Sequence, residues 1–299
     1  MVKIRDLQYL DAIAKYRHFG KAAQACFVSQ PTLSGQILKL EQQLGLTLVE
    51  RQTRQVMLTD IGEQLIEDAR SVLKAATTFE QSAKALLDPF SGDLHIGLIP
   101  TLAPYILPHI MAGFNQQLPD IKFFLHEEKT QDLLQQLADG ELDVLIIPWL
   151  DSMDKFERFD LFNEAFVVAC HPQHALAGKA SLNLADLSGH HILTLADGHC
   201  LRDQAMGYCF SAGAHEDQSF RATSLETLRY MVASKMGVTL LPELATFNRS
   251  ASEGISYVPF AEPKPARQIS LVVRKSYSRM ACVRKMVESV KQSMTKIID

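Results

Sequence analysis

The sequence predicts a multidomain α and α/β protein, in which a basic helical head, a long helix and a mixed body follow one another. Three observations support this prediction. The chain has 299 residues, of which 47% are hydrophobic, which is enough for two or three compact cores. Residues 1–59 carry eight Lys or Arg and four Asp or Glu, whereas the whole chain has a net charge of −4. Apolar residues recur at helical spacing as far as Leu87, and strand patterns alternate with helix patterns after Gly92.

The composition excludes several classes of protein. Charges at Lys3, Arg5 and Asp6 interrupt the N-terminus, so no signal peptide is predicted, and no uncharged run reaches the roughly 18 residues of a membrane span. We therefore expect a cytoplasmic protein without a membrane anchor. The five cysteines include no CxxC pair and the histidines are dispersed, so we expect neither a disulfide framework nor a metal or other cofactor.

The head, residues 1–59, is predicted to contain three helices and a β-wing. Apolar spacing places the first helix over residues 4–16, and small residues over 19–26 favour a second, short helix that crosses it closely. The third helix is expected to start at Ser29, a good N-cap, with Pro31 in its first turn. The wing is predicted from two extended runs, residues 48–51 and 56–59.

The third helix is the candidate DNA-reading element. Its inward stripe is expected to contain Leu33, Ile37, Leu40 and Leu44, whereas its outward face is small, polar and basic. Such a face can enter the major groove, where side chains contact base edges or phosphates. From charge and periodicity alone, a basic unit that only packs or binds protein is an equally good interpretation. The residues predicted to contact DNA are Ser29, Gln30, Pro31, Thr32, Ser34, Gln36 and Lys39 of the helix and Arg51 and Arg54 of the wing.

A long helix is predicted after the head, up to Leu87. Asp60 is its expected N-cap with Glu63 three residues later, and no proline interrupts it. Because a small head cannot bury an apolar seam of this length, pairing with a second copy is expected, with packing against the chain's own body as the alternative. Residues 88–92 break the helix, so residues 60–91 are interpreted as a dimerisation helix with a hinge. The seam consists of Leu65, Ala69, Val72, Ala76, Phe79, Ala83 and Leu86.

The body, residues 92–299, is predicted to be a two-lobed α/β domain. Strand and helix patterns alternate as in a parallel α/β unit, and a second cycle of the same kind follows. In such sheets ligand sites form at the C-terminal ends of strands. The predicted strands cover residues 94–98, 121–126, 144–147, 166–170, 192–195, 220–222, 238–241 and 269–274. The predicted helices cover residues 105–117, 130–139, 201–210, 225–235 and the chain from 278 onward.

The segment LADGHCLRDQAMGYCF, which starts at Leu195, is the most informative stretch of the body. Its Asp-Gly pair ends a strand, so Cys200 is expected in the first turn of the next helix, where free N–H groups and the helix dipole favour a thiolate. With positive or donor groups from His199 and Arg202, this position predicts a lowered thiol pKa and reactivity toward oxidants.

Cys209 lies nine residues after Cys200 on the same predicted helix. Nine residues of helix span about 13.5 Å, whereas a disulfide needs a Cα separation of roughly 4.4–6.8 Å. A bond between the two thiols would therefore unwind the segment, with Gly207 as a weak point, and would turn oxidation into a conformational switch. From the residues alone, two unrelated thiols in a reducing compartment are the alternative.

Two stretches of the head and three of the body resemble a known family. Those of the head are HFGKAAQACFVSQPTLSGQILKLEQQLG and LVERQTRQVMLTDIGEQL, and those of the body are LADGHCLRDQAMGYCF, FRATSLETLR and GVTLLP. The head is similar to the winged helix-turn-helix of LysR-type transcriptional regulators, and the body to that of the family's peroxide-sensing members. The resemblance implies a periplasmic-binding-protein-like regulatory domain with a cleft between two lobes, the second over residues 163–267.

The resemblance also implies a function, that of a hydrogen-peroxide-responsive activator of oxidative-stress genes. It assigns Cys200 as the peroxidatic thiol and Cys209 as the resolving thiol, joined by an intramolecular disulfide in the oxidised form. The implied partners are double-stranded promoter DNA, RNA polymerase, further copies of the chain in a dimer or homotetramer, and a cellular thiol reductant. The residues implied to bind peroxide are Thr101 in LIPT, Thr130 in HEEKT, His199, and Arg267 at the end of AEPKPAR.

Two residues depart from the family pattern: Tyr208 stands where Phe is more common, and Cys170 is an additional thiol. We interpret Cys26, Cys170 and Cys282 as core residues. Two other functions are considered, a LysR-type regulator that responds to a small metabolite with the thiols as spectators, and a thiol peroxidase. The DNA-reading head argues against an enzyme. A thiol peroxidase would consume peroxide catalytically with a reductant, whereas a sensor needs only one oxidation event per switch.

Overall fold

The computed structural model describes residues 1–51, 56–247 and 254–298. The chain forms two compact units, Met1–Lys84 and Ala85–Asp299. Within the described ranges, none of the helices is long and apolar enough to cross a membrane.

The N-terminal part of the chain is a three-helix head followed by a two-stranded wing and a long helix. The helices pack around a core in which Leu10, Ile13, Ala22, Leu33 and Ile37 are at most 2% exposed. The two strands pair antiparallel. The predicted helices and wing are thus confirmed. The elements are α1 (Ile4–Tyr16), α2 (Phe19–Ala25), α3 (Gln30–Leu44), β1 (Val49–Arg51), β2 (Val56–Leu58) and α4 (Asp60–Leu87).

The start of α3 confirms the sequence prediction, whereas its end does not. Ser29 Oγ accepts a hydrogen bond from the Thr32 backbone N–H at 3.3 Å, and Pro31 lies in the first turn. Leu44, predicted to point inward, is 40% exposed because it lies in the last turn, outside the core of the head. Glu41 joins α3 to the wing, since its buried carboxylate accepts from the Leu48 N–H at 2.8 Å.

The N-cap of α4 is one residue earlier than predicted. Thr59 Oγ1 accepts a hydrogen bond from the Gly62 N–H at 3.0 Å, and Asp60 is the first helical residue. The same Thr59 hydroxyl donates to the Thr47 carbonyl at 2.7 Å. Thr59 therefore ties the start of α4 to the loop before the wing, a double role that a carboxylate at this position could not take because it has no proton to donate.

The second unit is a mixed α/β structure. Its strands are β3 (Gly92–Leu98), β4 (Ile121–Glu127), β5 (Val144–Pro148), β6 (Phe156–Cys170), β7 (His191–Leu195), β8 (His215–Ala222), β9 (Thr239–Pro242), β10 (Ser256–Pro259) and β11 (Ala266–Arg274). Its helices are α5 (Ala103–Gln117), α6 (Thr130–Asp139), α7 (Cys200–Ser211), α8 (Leu225–Ala233) and α9 (Met280–Ile298).

The described strands of this unit form a seven-stranded sheet and a separate parallel pair. The order in the large sheet is β10-β6-β11-β5-β3-β4, with β9 also paired to β6, and the small pair is β7-β8. β3 runs parallel to β4 and β5, as the alternation of strands and helices predicts. β11 is antiparallel to both β5 and β6, so near its C-terminus the chain returns to the part of the sheet that contains β3, β4 and β5.

Two hydrophobic clusters define two lobes within the second unit. The first is built on β3, β5, β11, α5 and α9 and includes Ile96 and Phe114. The second is built on β7, β9, α7, α8 and the last residues of β6, and includes Phe166 and Leu193. β6 runs through both, because its Leu161 belongs to the first cluster.

The sequence patterns miss the first ten residues of β6 and all of β10. β6 is predicted only from residue 166, but it begins at Phe156, where buried and exposed side chains alternate and several are charged. Residues 156–165 of β6 are held by antiparallel pairing with β11, which is distant in sequence. β10 has four residues and pairs with β6 at the end of the strand order, so it is too short for a clear pattern.

The segment after α4, interpreted from the sequence as a hinge, is firmly held within the second unit. Arg279 donates hydrogen bonds from Nε to the Pro89 carbonyl (3.0 Å), from Nη1 to that of Asp93 (2.9 Å) and from Nη2 to that of Ser91 (2.8 Å). The guanidinium is itself buried. α4 therefore ends at Leu87 as predicted, but the chain that follows is anchored beside the start of α9.

Candidate functional site

Cys200 is the first residue of α7, as the sequence predicts. The turn before it requires a glycine, since Gly198 has a φ of +91°. Cys200 is 6% exposed and packs in the first cluster, whereas Leu201, Met206 and Cys209 of the same helix pack in the second. All five cysteines are free thiols, so the structure shows the reduced form.

The predicted lowering of the Cys200 pKa is wrong. Burial raises the pKa of this thiol above its ordinary value and outweighs the Thr130 hydroxyl and the Arg267 guanidinium, which both favour the thiolate. The Cys200 side chain lies inside the first hydrophobic cluster. There the N–H groups at the start of α7 do not compensate for the hydration that the thiolate would lose. Burial, together with the nearby charge of Lys129, lowers the pKa of His199, so its imidazole is neutral at pH 7 and adds no positive charge.

Arg202, expected beside the thiol, is engaged with carboxylates instead. Its Nη2 donates to both oxygens of Glu216 at 2.9 Å, and its Nε donates to Oε1 at 3.0 Å. Its Nη1 lies 3.1 Å from Asp197 Oδ1. These contacts tie the first turn of α7 to β8 and to the loop before the helix.

Arg267 forms a buried cluster with Thr101 and Glu164. Its Nε donates to Glu164 Oε2 at 2.7 Å, its Nη1 to Thr101 Oγ1 at 3.3 Å and its Nη2 to the Thr101 carbonyl at 3.0 Å. Arg267 and Glu164 are cross-strand partners on β11 and β6. Burial raises the pKa of the Glu164 carboxyl, and the guanidinium beside it opposes that rise. The structure thus brings two of the predicted residues, Thr101 and Arg267, into contact.

Two buried polar groups lie near the thiol: Gln204 Oε1 has no hydrogen-bond partner among the described residues, and the Thr130 hydroxyl has none there besides the Cys200 sulfur. Thr130 is the first residue of α6. Gln204 lies one helical turn after Cys200 and therefore on the same face of α7. A buried polar group without a partner costs about 1–3 kcal/mol, so Gln204 is suited to bind a small hydrogen-bonding molecule, and the Thr130 hydroxyl is placed to share it beside the sulfur.

Sequence reasoning missed Glu164 and Gln204. Glu164 had a signal, since it is a single carboxylate among the apolar residues that end β6. Gln204 had one as well, because a polar side chain four residues after a reactive cysteine shares its helix face. Neither signal identifies a role without the sheet register that brings Glu164 to Arg267.

Cys209 is fully buried near the other end of α7. Burial raises the pKa of its thiol to about 12. Since both cysteines lie on one intact helix, they are separated by about 13.5 Å along its axis. As predicted, the two sulfurs cannot form a disulfide in this conformation. Gly207 is exposed, and a Cβ added there would meet no atom within 4 Å.

Alkylation of Cys200 in the reduced protein is expected to increase with pH. Only the thiolate reacts, and a raised pKa keeps its fraction small at neutral pH, so the rate should increase about tenfold per unit between pH 7 and 9. Cys209 should stay nearly unlabelled over this range. Iodoacetamide labelling and peptide mapping at each pH test this, and a rate that levels off below pH 7 would reveal the lowered pKa that the sequence alone predicts.

The predicted DNA-contacting face of α3 is open to solvent. Ser29 Oγ and Thr32 Oγ1 are 2.7 Å apart and hydrogen-bond to each other, so one of these hydroxyls donates its proton to the other at the start of the helix. Arg51 lies in β1, and Arg54 lies outside the described residues. Ser29, Gln30, Pro31, Thr32 and Lys39 are exposed, whereas Ser34 and Gln36 are half-buried.

The apolar seam of α4 divides into two parts. Near its start, Ala69 is buried in the core of the head and Leu65 packs half-buried against that core. Further along, Val72 is 48% exposed and Phe79 is 75% exposed. Large apolar side chains exposed in a row on one helix are typical of a surface that pairs with another chain.

Comparisons with known proteins identify both parts of the chain. Residues 4–63 match the family model for bacterial regulatory helix-turn-helix proteins of the lysR family, and residues 88–295 match the LysR substrate binding domain. The DNA-binding transcriptional dual regulator OxyR of Escherichia coli is 46% identical over 293 residues, which are 98% of this chain and 96% of that protein. The hydrogen peroxide-inducible genes activator of Haemophilus influenzae is 43% identical over 298 residues, covering 100% of this chain and 99% of that protein.

Solved structures give the same result. A full-length OxyR variant from Pseudomonas aeruginosa has a TM-score of 0.75 and 33% identity, covering 97% of this chain and 95% of its own. A crystal structure of the oxidised form of OxyR has a TM-score of 0.65 and 44% identity, covering 71% of this chain and 100% of its own. The chain therefore belongs to the LysR family of bacterial regulatory helix-turn-helix proteins, in which it closely resembles the OxyR-type hydrogen peroxide-inducible genes activators.

Proposed function

We propose that this chain is a hydrogen-peroxide-responsive transcription regulator, an activator of oxidative-stress genes that is switched by a Cys200–Cys209 disulfide. The observation that carries the proposal is the surroundings of Cys200, a free thiol at the start of α7 with the Thr130 hydroxyl beside its sulfur and the unpartnered Gln204 Oε1 one helical turn further along. Hydrogen peroxide has two hydroxyl groups, each a donor and an acceptor, which match these groups. Thr101, Thr130, His199 and Arg267 are proposed to bind it.

The proposed chemistry has two steps. In the first, the Cys200 thiolate attacks one oxygen of peroxide, an S–O bond forms as the O–O bond breaks, and the hydroxide that leaves takes up a proton to become water. In the second, the Cys209 thiolate attacks the sulfenic sulfur, an S–S bond forms as the S–O bond breaks, and the hydroxide that leaves takes up a proton to become a second water. A cellular dithiol returns both sulfurs to thiols and is itself oxidised.

The second step requires α7 to change conformation. Cys200 and Cys209 are held in different hydrophobic clusters at opposite ends of an intact helix. To reach disulfide distance, residues between them must unwind, and Cys200 must leave the first cluster. Oxidation would thereby remove a contact between the lobes, which is the conformational signal in this account.

The proposed output is a change in how the protein acts at a promoter. Residues 1–59 would bind double-stranded DNA through the exposed face of α3 and the wing, and residues 60–91 would pair two chains through α4. Residues 92–299 would sense peroxide, with residues 163–267 as the second lobe. In a tetramer, four heads would contact promoter DNA and the oxidised form would engage RNA polymerase. This function belongs in the cytoplasm, where promoter DNA and thiol reductants are found.

Counting turnovers separates a sensor from a thiol peroxidase. In one experiment the purified chain is mixed with excess peroxide and a dithiol reductant, and the consumption of peroxide is followed. In a second experiment random DNA fragments are selected for binding to the reduced and to the oxidised form. A sensor is expected to bind specific DNA and to consume peroxide slowly relative to a Cys-based peroxidase. Rapid steady-state consumption without specific DNA binding would reverse the assignment.

Gly207→Ala is expected to slow disulfide formation. Alanine favours the helix by about 1 kcal/mol over glycine, and nothing obstructs its Cβ, so the variant should unwind α7 about fivefold less readily. Sulfenate formation at Cys200 should be unaffected. The test is the rate of Cys200–Cys209 bond formation by intact mass, with Gly178→Ala as control at another open, exposed glycine. A Gly207→Ala rate equal to that of the control would argue against unwinding.

A further inference from the structure

Tyr208 links the C-terminal half of α7 to the strand that carries Arg267. Its hydroxyl donates a hydrogen bond to the Ala266 backbone carbonyl at 3.0 Å, and Ala266 directly precedes Arg267 in β11. The ring meets Phe166 edge-on, with centroids 6.0 Å apart. A phenylalanine could make the ring contact but not the hydrogen bond, so the hydroxyl adds a restraint beyond packing.

The switch requires Cys209, the next residue, to leave its position. Cys209 is fully buried, and because burial raises the pKa of its thiol to about 12, it cannot supply a thiolate where it lies. It must become exposed to water and approach Cys200 before it can attack a sulfenate. The backbone of Tyr208 has to move with it, so the hydrogen bond to Ala266 has to break.

We propose that Tyr208 is a positioning residue, whose hydroxyl holds the Cys209 end of α7 in place in the reduced form and raises the free-energy barrier to disulfide formation. This inference rests on the proposed function, because it concerns the regulation of the same switch. This hydrogen bond acts on the second step alone. Cys200 lies at the other end of α7, and its attack on peroxide does not require the helix to unwind.

The test uses one substitution that removes only the hydroxyl, Tyr208→Phe. Tyr230→Phe, at a ring on α8 that is 69% exposed, is the matched control. The reduced full-length chain receives one equivalent of hydrogen peroxide, samples are quenched with an alkylating agent over time, and intact mass distinguishes sulfenate from disulfide. The rate of the first step is measured separately in a Cys209→Ser background, where the sulfenate cannot be resolved.

Loss of one hydrogen bond is expected to speed disulfide formation about fivefold. Sulfenate formation should stay at the wild-type rate, and Tyr230→Phe should match wild type in both steps. A purely structural role for Tyr208 would change both steps or neither. An unchanged disulfide rate, or an equal change in the two rates, overturns the proposal.

Hydrogen exchange of the reduced protein distinguishes failure of this inference from failure of the proposed function. Amides in the last turns of α7 should exchange about fivefold faster in Tyr208→Phe than in wild type, with α8 unchanged. If wild type forms the disulfide but rate and exchange are the same in the variant, only this inference fails. If wild type forms no Cys200–Cys209 bond at all, the proposed function fails, and the inference about Tyr208 fails with it.

Discussion

Cys200→Ser is expected to abolish the response to peroxide completely. A serine hydroxyl is not oxidised by peroxide under conditions that convert a thiolate to sulfenic acid. Cys209 cannot replace Cys200, because its buried thiol has a pKa raised to about 12. Cys209→Ser should severely weaken the response, since a sulfenate can form but no disulfide holds α7 unwound. The measurement is transcription from a peroxide-inducible promoter in a bacterial host that lacks its own peroxide-responsive activator.

The control for these variants is Cys170→Ala, which removes a fully buried thiol outside α7. It should respond to peroxide like wild type, because Cys170 lies at the end of β6 in the second cluster and is not part of the proposed switch. A fully responsive Cys200→Ser protein would refute the assignment of the peroxidatic thiol, whatever the behaviour of Cys209→Ser.

Gly62→Ala is expected to disrupt the head and leave the thiol chemistry intact. A Cβ at this position would lie 2.2 Å from the Leu48 carbonyl oxygen and 3.2 Å from Leu58 Cβ. The first of these is backbone at the start of the wing, so α4 and the wing would have to separate. We expect a loss of about 3 kcal/mol in the free energy of unfolding of the head and loss of specific DNA binding.

Gly35→Ala provides the contrast in the same unit. A Cβ at Gly35 meets no atom within 4 Å, so alanine in this helix should stabilise α3 by about 1 kcal/mol. Hydrogen exchange of head amides in the full chain measures both effects, and Cys200 alkylation reports on the second unit. Undiminished protection of the head in Gly62→Ala would mean that the contact between α4 and the wing does not limit its stability.

The head could be predicted closely from its sequence because its signals are local. The apolar spacing of α1, the serine cap and first-turn proline of α3 and the extent of α4 each depend on a few neighbouring residues. The errors lie at element ends. Thr59 replaces Asp60 as the cap of α4 because its hydroxyl serves two partners, and Leu44 falls outside the core of the head because α3 ends there.

The sequence predicts the position of Cys200 in the fold but not the pKa values of Cys200 and His199. The sequence places Cys200 in the first turn of a helix, and the structure agrees. The burial of Cys200 depends on its place in the first hydrophobic cluster, whose other members lie far from residues 195–210 in sequence. Burial reverses the expected shift of the Cys200 pKa and removes the charge expected on His199. Glu164 reaches Arg267 only through the register of β6 and β11.

The reversed shift changes the account of reactivity. A thiol with a raised pKa is largely protonated at neutral pH, so we expect Cys200 of the reduced form to react slowly with general oxidants. The groups that favour its thiolate, Thr130 and Arg267, are close to the sulfur but do not outweigh burial. In the proposed function, hydrogen bonding at Thr130 and Gln204 supplies the selectivity for peroxide.

A thiol count before and after one equivalent of hydrogen peroxide tests the proposed Cys200–Cys209 switch. The full-length protein is alkylated in each state, weighed intact and mapped by peptide. We expect the loss of two alkylatable thiols, both located in a Cys200–Cys209 bridge, with Cys26, Cys170 and Cys282 unchanged. Unchanged labelling of Cys200 and Cys209 after peroxide would contradict the account and would point to a LysR-type regulator with a different effector.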